Sequence, residues 1–115
     1  MTPKSAKAKG RRLQNWVRDQ ILAIHPSLKA NDIKPAIMGE AGEDLKLSSD
    51  AELVFPYSVE CKSIDRAFKS LYDAYEQAKT NCNQREPLVF IKRNREKPLV
   101  VMDAEHFFEL MELMR

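Results

Sequence analysis

Cysteine is scarce in this chain: Cys61 and Cys82 are its only two. That is too few for a disulfide framework, and the spacing does not suit a zinc site. Cys61 reads instead as a small buried residue, with both thiols reduced. Histidine is equally sparse. His25 and His106 stand apart at helix ends, without the sequence partner a ligand pair requires, so both read as structural. Long apolar runs are missing as well: nothing approaches the ~18 residues of a membrane span. The basic opening has no apolar segment of the kind a signal peptide carries, so a cytoplasmic setting is expected. No phosphate-cradling glycine loop is present, which argues against a nucleotide-binding enzyme.

What is present is ordinary in amount and uneven in placement. With 115 residues, 43% of them hydrophobic and 31% charged, the chain is expected to form one domain, 1–115, around a single core. The net charge is only +2. Yet Lys4, Lys7, Lys9, Arg11, Arg12 and Arg18 all precede the first acidic residue, Asp19, and Lys92, Arg93, Arg95 and Lys97 form a second basic cluster. Each cluster alone reads equally well as a solvated surface. Two clusters in one small chain suit a phosphate backbone, where binding neutralises charge and releases counterions.

The hydrophobic periods predict the elements. Thr2-Pro3 offers a hydroxyl cap and a first-turn proline, and Leu13, Trp16, Val17, Ile21 and Ile24 make one face of a long helix ending at His25-Pro26. Residues 32–38 read as a short strand or irregular edge, interrupted by Pro35. Ser49 with Glu52 resembles a capping box opening one helical turn. Tyr57–Lys62 is the expected central strand. A helix is expected from Asp65 to about Cys82, with Phe68, Leu71, Tyr72, Tyr75, Ala78 and Cys82 as its stripe. Two apolar runs, Pro87–Ile91 and Pro98–Met102, predict paired strands. Asp103 can cap a last helix that buries Phe107, Leu110, Met111 and Met114. The order implies an α/β (α+β) fold with a mixed central sheet flanked by helices.

Two places carry chemistry. Residues 39–44 gather Glu40, Glu43 and Asp44 around Gly39 and Gly42; three acids this close repel one another unless they share a cation. In the predicted strand, Glu60 and Lys62 share one face while Val59 and Cys61 share the other. Mg²⁺ is hard and takes few protein carboxylates, keeping waters and phosphate oxygens as its remaining ligands. Asp44 and Glu60 could supply two such carboxylates, with the backbone carbonyl of Glu60 or Cys61 nearby. Lys62 could orient or help deprotonate an attacking water, or offset charge on a phosphate. Asp50 competes for the role of first acid, but a place in the first turn of a helix explains it.

Asp44, then fifteen intervening residues, then Glu60-Cys61-Lys62 resemble the PD-(D/E)xK nuclease superfamily, and more narrowly the small Holliday-junction resolvase-like endonucleases of phages and archaea. Lys9-Gly10-Arg11-Arg12 before a long helix is similar to the start of those proteins. A later helix with Gln77-Ala78 matches one whose glutamine often lies near the active site. Two departures stand out: Glu43 replaces the motif's proline, and Gln14 stands where many relatives have a metal-binding glutamate, unless Glu40 or Glu43 fills in. The resemblance implies a restriction-endonuclease-like fold and a Mg²⁺-dependent endonuclease, Mn²⁺ substituting, that hydrolyses DNA phosphodiester bonds. Asp44 and Glu60 would hold the metal beside Cys61, Lys62 would assist the water, and Gln77 would support the site. Lys9, Arg11 and Arg12 would contact the DNA backbone. Symmetric cutting of a junction implies a homodimer, and a phage gene would place it in the host cytoplasm. Two other classes stay open. One is a non-catalytic DNA-binding protein that keeps the fold, favoured by the missing helix-one glutamate; the other is an interaction subunit using the Met-rich last helix.

Overall fold

In a computed structural model of the chain, residues 3–37, 39–64 and 66–115 are described. They fall into two compact units, 1–65 and 66–115. Helix α1 (Pro3–Ile24) is followed by a short 3-10 turn (Ala30–Asp32), strands β1 (Ile33–Pro35) and β2 (Leu45–Leu47), and the short helix α2 (Ser49–Val54). The second unit holds α3 (Lys69–Asn81), β3 (Val89–Ile91), β4 (Leu99–Val101) and α4 (Ala104–Leu113). The fold is α+β, as expected, but among the described residues the strands form two separate antiparallel pairs, β1–β2 and β3–β4, with no parallel pairing. No helix among them is long and apolar enough to cross a membrane.

The first unit is built where α1 meets the β1–β2 hairpin. Ile21 and Ile24, the C-terminal half of the predicted helix stripe, are buried, and α1 packs on β1. Ile33 and Leu45 are wholly buried beside them, each worth about 1.5–3 kcal/mol of hydrophobic burial. The hairpin pairs Ile33 with Leu47, Lys34 with Lys46 and Pro35 with Leu45. Pro35 is tolerated because a two-stranded sheet has only edges. Thr2, the expected cap of α1, lies outside the described residues.

Three sequence expectations are corrected in local structure. The cap of α2 is Ser48, not Ser49: its Oγ accepts from the Ala51 amide at 3.1 Å, so no Ser49–Glu52 box forms. Ser48 is held there because its hydroxyl also donates to Asp32 Oδ1 at 2.7 Å. Helix α3 begins at Lys69 and not at Asp65, because Phe68 before it has left-handed backbone, φ 67°; Asp65 itself is outside the described residues. Most important, Tyr57–Lys62 is not a strand. Leu45–Leu47 takes the place beside β1 instead, and segment 57–62 has no ladder of its own.

The second unit keeps the expected strand pair and last helix, but α3 buries none of its expected stripe: Phe68 and Tyr72 are exposed, and Leu71, Tyr75, Ala78 and Cys82 are half-buried. Val89 pairs with Val101, Phe90 with Val100 and Ile91 with Leu99. The turn joining them carries Lys92, Arg93, Arg95 and Lys97, all exposed. Asp103 caps α4 by accepting from the His106 amide at 3.0 Å. Phe108 is the side chain α4 buries; Phe107, Leu110 and Met111 are half-buried and Met114 is exposed.

Candidate active site

Asp44 ends the acidic turn at the mouth of the β1–β2 hairpin, and its backbone works in both directions. Its carbonyl accepts from the Ala36 amide at 2.8 Å, and its own amide donates to the Val59 carbonyl at 3.0 Å. The side chain then continues this pairing: Asp44 Oδ2 accepts from the Cys61 amide at 2.7 Å. A carboxylate thus stands where a neighbouring strand would offer a carbonyl. This fastens segment 59–61 alongside Asp44 with two bonds, one from backbone and one from side chain.

The motif residues hold their expected faces although the strand is absent. Val59 and Cys61 are half-buried, whereas Glu60 and Lys62 are exposed, because an extended chain alternates its side chains whether or not a ladder forms. Burial pushes the Cys61 thiol above its ordinary pKa, and the charges of Asp44 and then Glu60 push it further. Both carboxylates therefore act on one point.

Of the remaining acids of the turn, Glu40 is engaged within the turn and Glu43 borders a separate cavity. Glu40 Oε1 accepts from the Ile37 amide at 2.8 Å, and its other oxygen lies 3.9 Å from Lys46 Nζ. Lys46 Nζ also donates to the Ala41 carbonyl at 2.6 Å. Lys46 is a cation inside the acidic turn, a partner the sequence reading missed; its signal was the alternation of Leu45-Lys46-Leu47, which turns it toward the loop. Gly42 makes room for it. The backbone there has φ +98°, and an added Cβ would lie 2.6 Å from Lys46 Nζ. Glu43 lines a different cavity of about 410 Å³ with Leu47, Glu52, Pro56, Tyr57 and Ser58.

As metal donors, this leaves the exposed carboxylate of Glu60, the second oxygen of Asp44 and nearby backbone carbonyls. Among the described residues no group of three His, Cys, Asp or Glu side chains could hold a metal ion. The donor set fits Mg²⁺, which is bound by one or two carboxylates and completed by water and phosphate. It does not fit a cation that needs a closed protein cage.

Beside the motif lies an open groove of about 520 Å³, lined by Lys9, Arg12, Leu13 and Trp16 of α1 and by Ser63 and Ile64. Two of the three basic residues expected to contact DNA thus face the segment that directly follows Lys62. Arg11 is exposed on α1, and Gln14 is half-buried there. Gln77 is exposed on α3, in the second unit. Trp16, read from the sequence as a core residue, is half-buried and lines the groove. The spacing Lys9, Arg12, Leu13, Trp16 would have shown it, since these positions share one helix face.

No protein-family model matches this chain, and neither does any curated protein or solved structure.

Proposed function

We propose that the chain is a metal-dependent DNA endonuclease that hydrolyses phosphodiester bonds, with a preference for branched DNA of the Holliday-junction kind. The observation that supports it best is the bond from the Cys61 amide to Asp44 Oδ2. It ties the Asp44 carboxylate to the backbone next to Glu60, and Glu60 and Lys62 are both exposed. With the reading goes the finer expectation of a restriction-endonuclease-like fold.

Asp44 and Glu60, with the Cys61 carbonyl, would hold Mg²⁺ or Mn²⁺, which when bound supplies Lewis-acid polarisation of a phosphate oxygen. The chain's own groups do the rest. Lys62, an exposed cation, offsets the charge that grows on the phosphate oxygens during water attack. Lys9, Arg11 and Arg12 neutralise flanking phosphates and fix the strand's register. The part given to Gln77 rests on the family resemblance alone.

A second reading, a DNA-binding protein without cleavage, is favoured by one observation: Glu40 is engaged by the Ile37 amide and lies near Lys46, so it does not replace the glutamate missing at Gln14. Labelled four-way junction, flap, single-stranded and duplex DNA, incubated with Mg²⁺ or Mn²⁺, separates the two. Metal-dependent cutting that Glu60→Gln and Lys62→Ala both lose is the expected result. Binding without cutting in either metal would replace the enzyme with the binding protein.

A further inference from the structure

The groove between α1 and residues 63–64 has a composition that a duplex backbone does not require. A phosphate track needs cations. This groove adds an indole and an exposed Ile64, 56% accessible. Its volume of about 520 Å³ lies within the ~300–1,000 Å³ of small-ligand pockets, so it can take a group the size of a base and not merely a phosphate edge. Among the described residues its lining carries two cations, Lys9 and Arg12, and no acid. Another cavity of the same unit carries Glu43 and Glu52 and would repel a phosphate.

We propose that this groove holds an unpaired nucleotide of a DNA strand, its base against the Trp16 ring and Ile64 and its phosphates on Lys9 and Arg12. Cationic tracks interleaved with aromatic rings are how proteins hold single strands. A base inside a duplex is stacked on both faces and has none to offer, so the groove selects DNA with an unpaired stretch. Lys9 and Arg12 lie one turn apart on the face that carries Trp16, so one strand running along α1 meets both cations and the ring. The groove opens beside Ser63 and Ile64, immediately after Lys62. A strand seated there leads to the candidate site, which makes the duplex–single-strand boundary of a flap or an opened junction the substrate class. This rests on the reading of the chain as a DNA enzyme and sharpens its substrate.

Trp16 is the only tryptophan in the chain, so its fluorescence reports this groove alone. The test titrates the full-length protein, in chelator so that nothing is cut, with a short oligo(dT), an abasic strand of equal length and a duplex of equal length. Saturable quenching by oligo(dT), with little change for the abasic strand or the duplex, is expected. Arg12→Ala, an exposed position, should weaken oligo(dT) binding several-fold and reduce the slope of log affinity against log salt by about 0.7. Fluorescence unchanged by oligo(dT), quenching equal for duplex, or a salt slope untouched by Arg12→Ala would each overturn the groove. Cleavage with Mg²⁺ is scored separately: cutting without quenching removes the groove and keeps the nuclease, and quenching without cutting does the reverse.

Discussion

Asp44 has one duty in the fold and another in the proposed site, and one substitution can separate them. Its Oδ2 accepts the Cys61 amide at 2.7 Å, which any side-chain carbonyl could do; its negative charge is what a cation would need. Asparagine keeps the acceptor and loses the charge, whereas alanine loses both and leaves a part-buried amide unsatisfied, at about 1–3 kcal/mol. Asp44→Asn is therefore expected to unfold in urea close to the parent while cleavage falls by roughly a hundredfold or more. Asp44→Ala should lose stability as well. Cys61 reads the same charge without any cleavage. Its thiol is held above its ordinary pKa by burial, then by Asp44, then by Glu60, and removing the Asp44 charge lowers that pKa. In chelator, iodoacetamide should therefore label Cys61 faster in Asp44→Asn than in the parent. Full cleavage by Asp44→Asn would reduce Asp44 to a clasp and move the metal elsewhere.

At the scale of elements, the legible parts were those specified locally. The C-terminal half of the α1 stripe, the Asp103 cap of α4 and the β3–β4 pair each depend on residues a few positions apart, and each is found. The choice between Leu45–Leu47 and Tyr57–Lys62 as the strand of the site was not local. Both alternate, and the decision lies in closure of the hairpin through Gly39 and Gly42, φ 81° and 98°. It lies also in a clasp at the hairpin's other end, where the Ser48 amide donates to the Asp32 carbonyl at 2.8 Å and the Ser48 hydroxyl to the Asp32 carboxylate at 2.7 Å. No sequence period encodes that pair, sixteen positions apart. The clasp is expected to respond to pH. The Lys29 amide and then the Ser48 hydroxyl hold the Asp32 pKa below its ordinary value. A carboxylate lowered by folding adds stability that is present above its unfolded pKa of about 3.9 and fades as pH falls through the lower folded value. The urea midpoint of the parent should thus drop more steeply from pH 5 to pH 2 than that of Asp32→Asn; equal slopes would remove the clasp from the acid response.

For the whole molecule, the two units are unequal in what they bury. Among the described residues, Ile21, Ile24, His25, Leu28, Ile33, Leu45, Ala51 and Phe55 are buried in the first unit, against Pro87 and Phe108 in the second. The second unit meanwhile exposes Phe90 at 72%, Leu99 at 62% and Val100 at 48%. Phe90 and Val100 are cross-strand partners, so they share one face of the β3–β4 pair. A unit this small, with so little core, is in the range where association commonly supplies missing stability. Symmetric cutting of a junction needs two active sites, and a second copy of the chain on the Phe90 face would provide both the cover and the second site. Light scattering is expected to give twice the 13.3 kDa chain mass at micromolar concentration. Phe90→Ser with Val100→Ser should return it to the mass of one chain, abolishing paired junction cuts while leaving single nicks in the same DNA. A parent that stays at one chain mass up to high concentration would remove junction resolution from the proposed function. A flap or other single-strand boundary, which one site can cut, would then remain as the substrate.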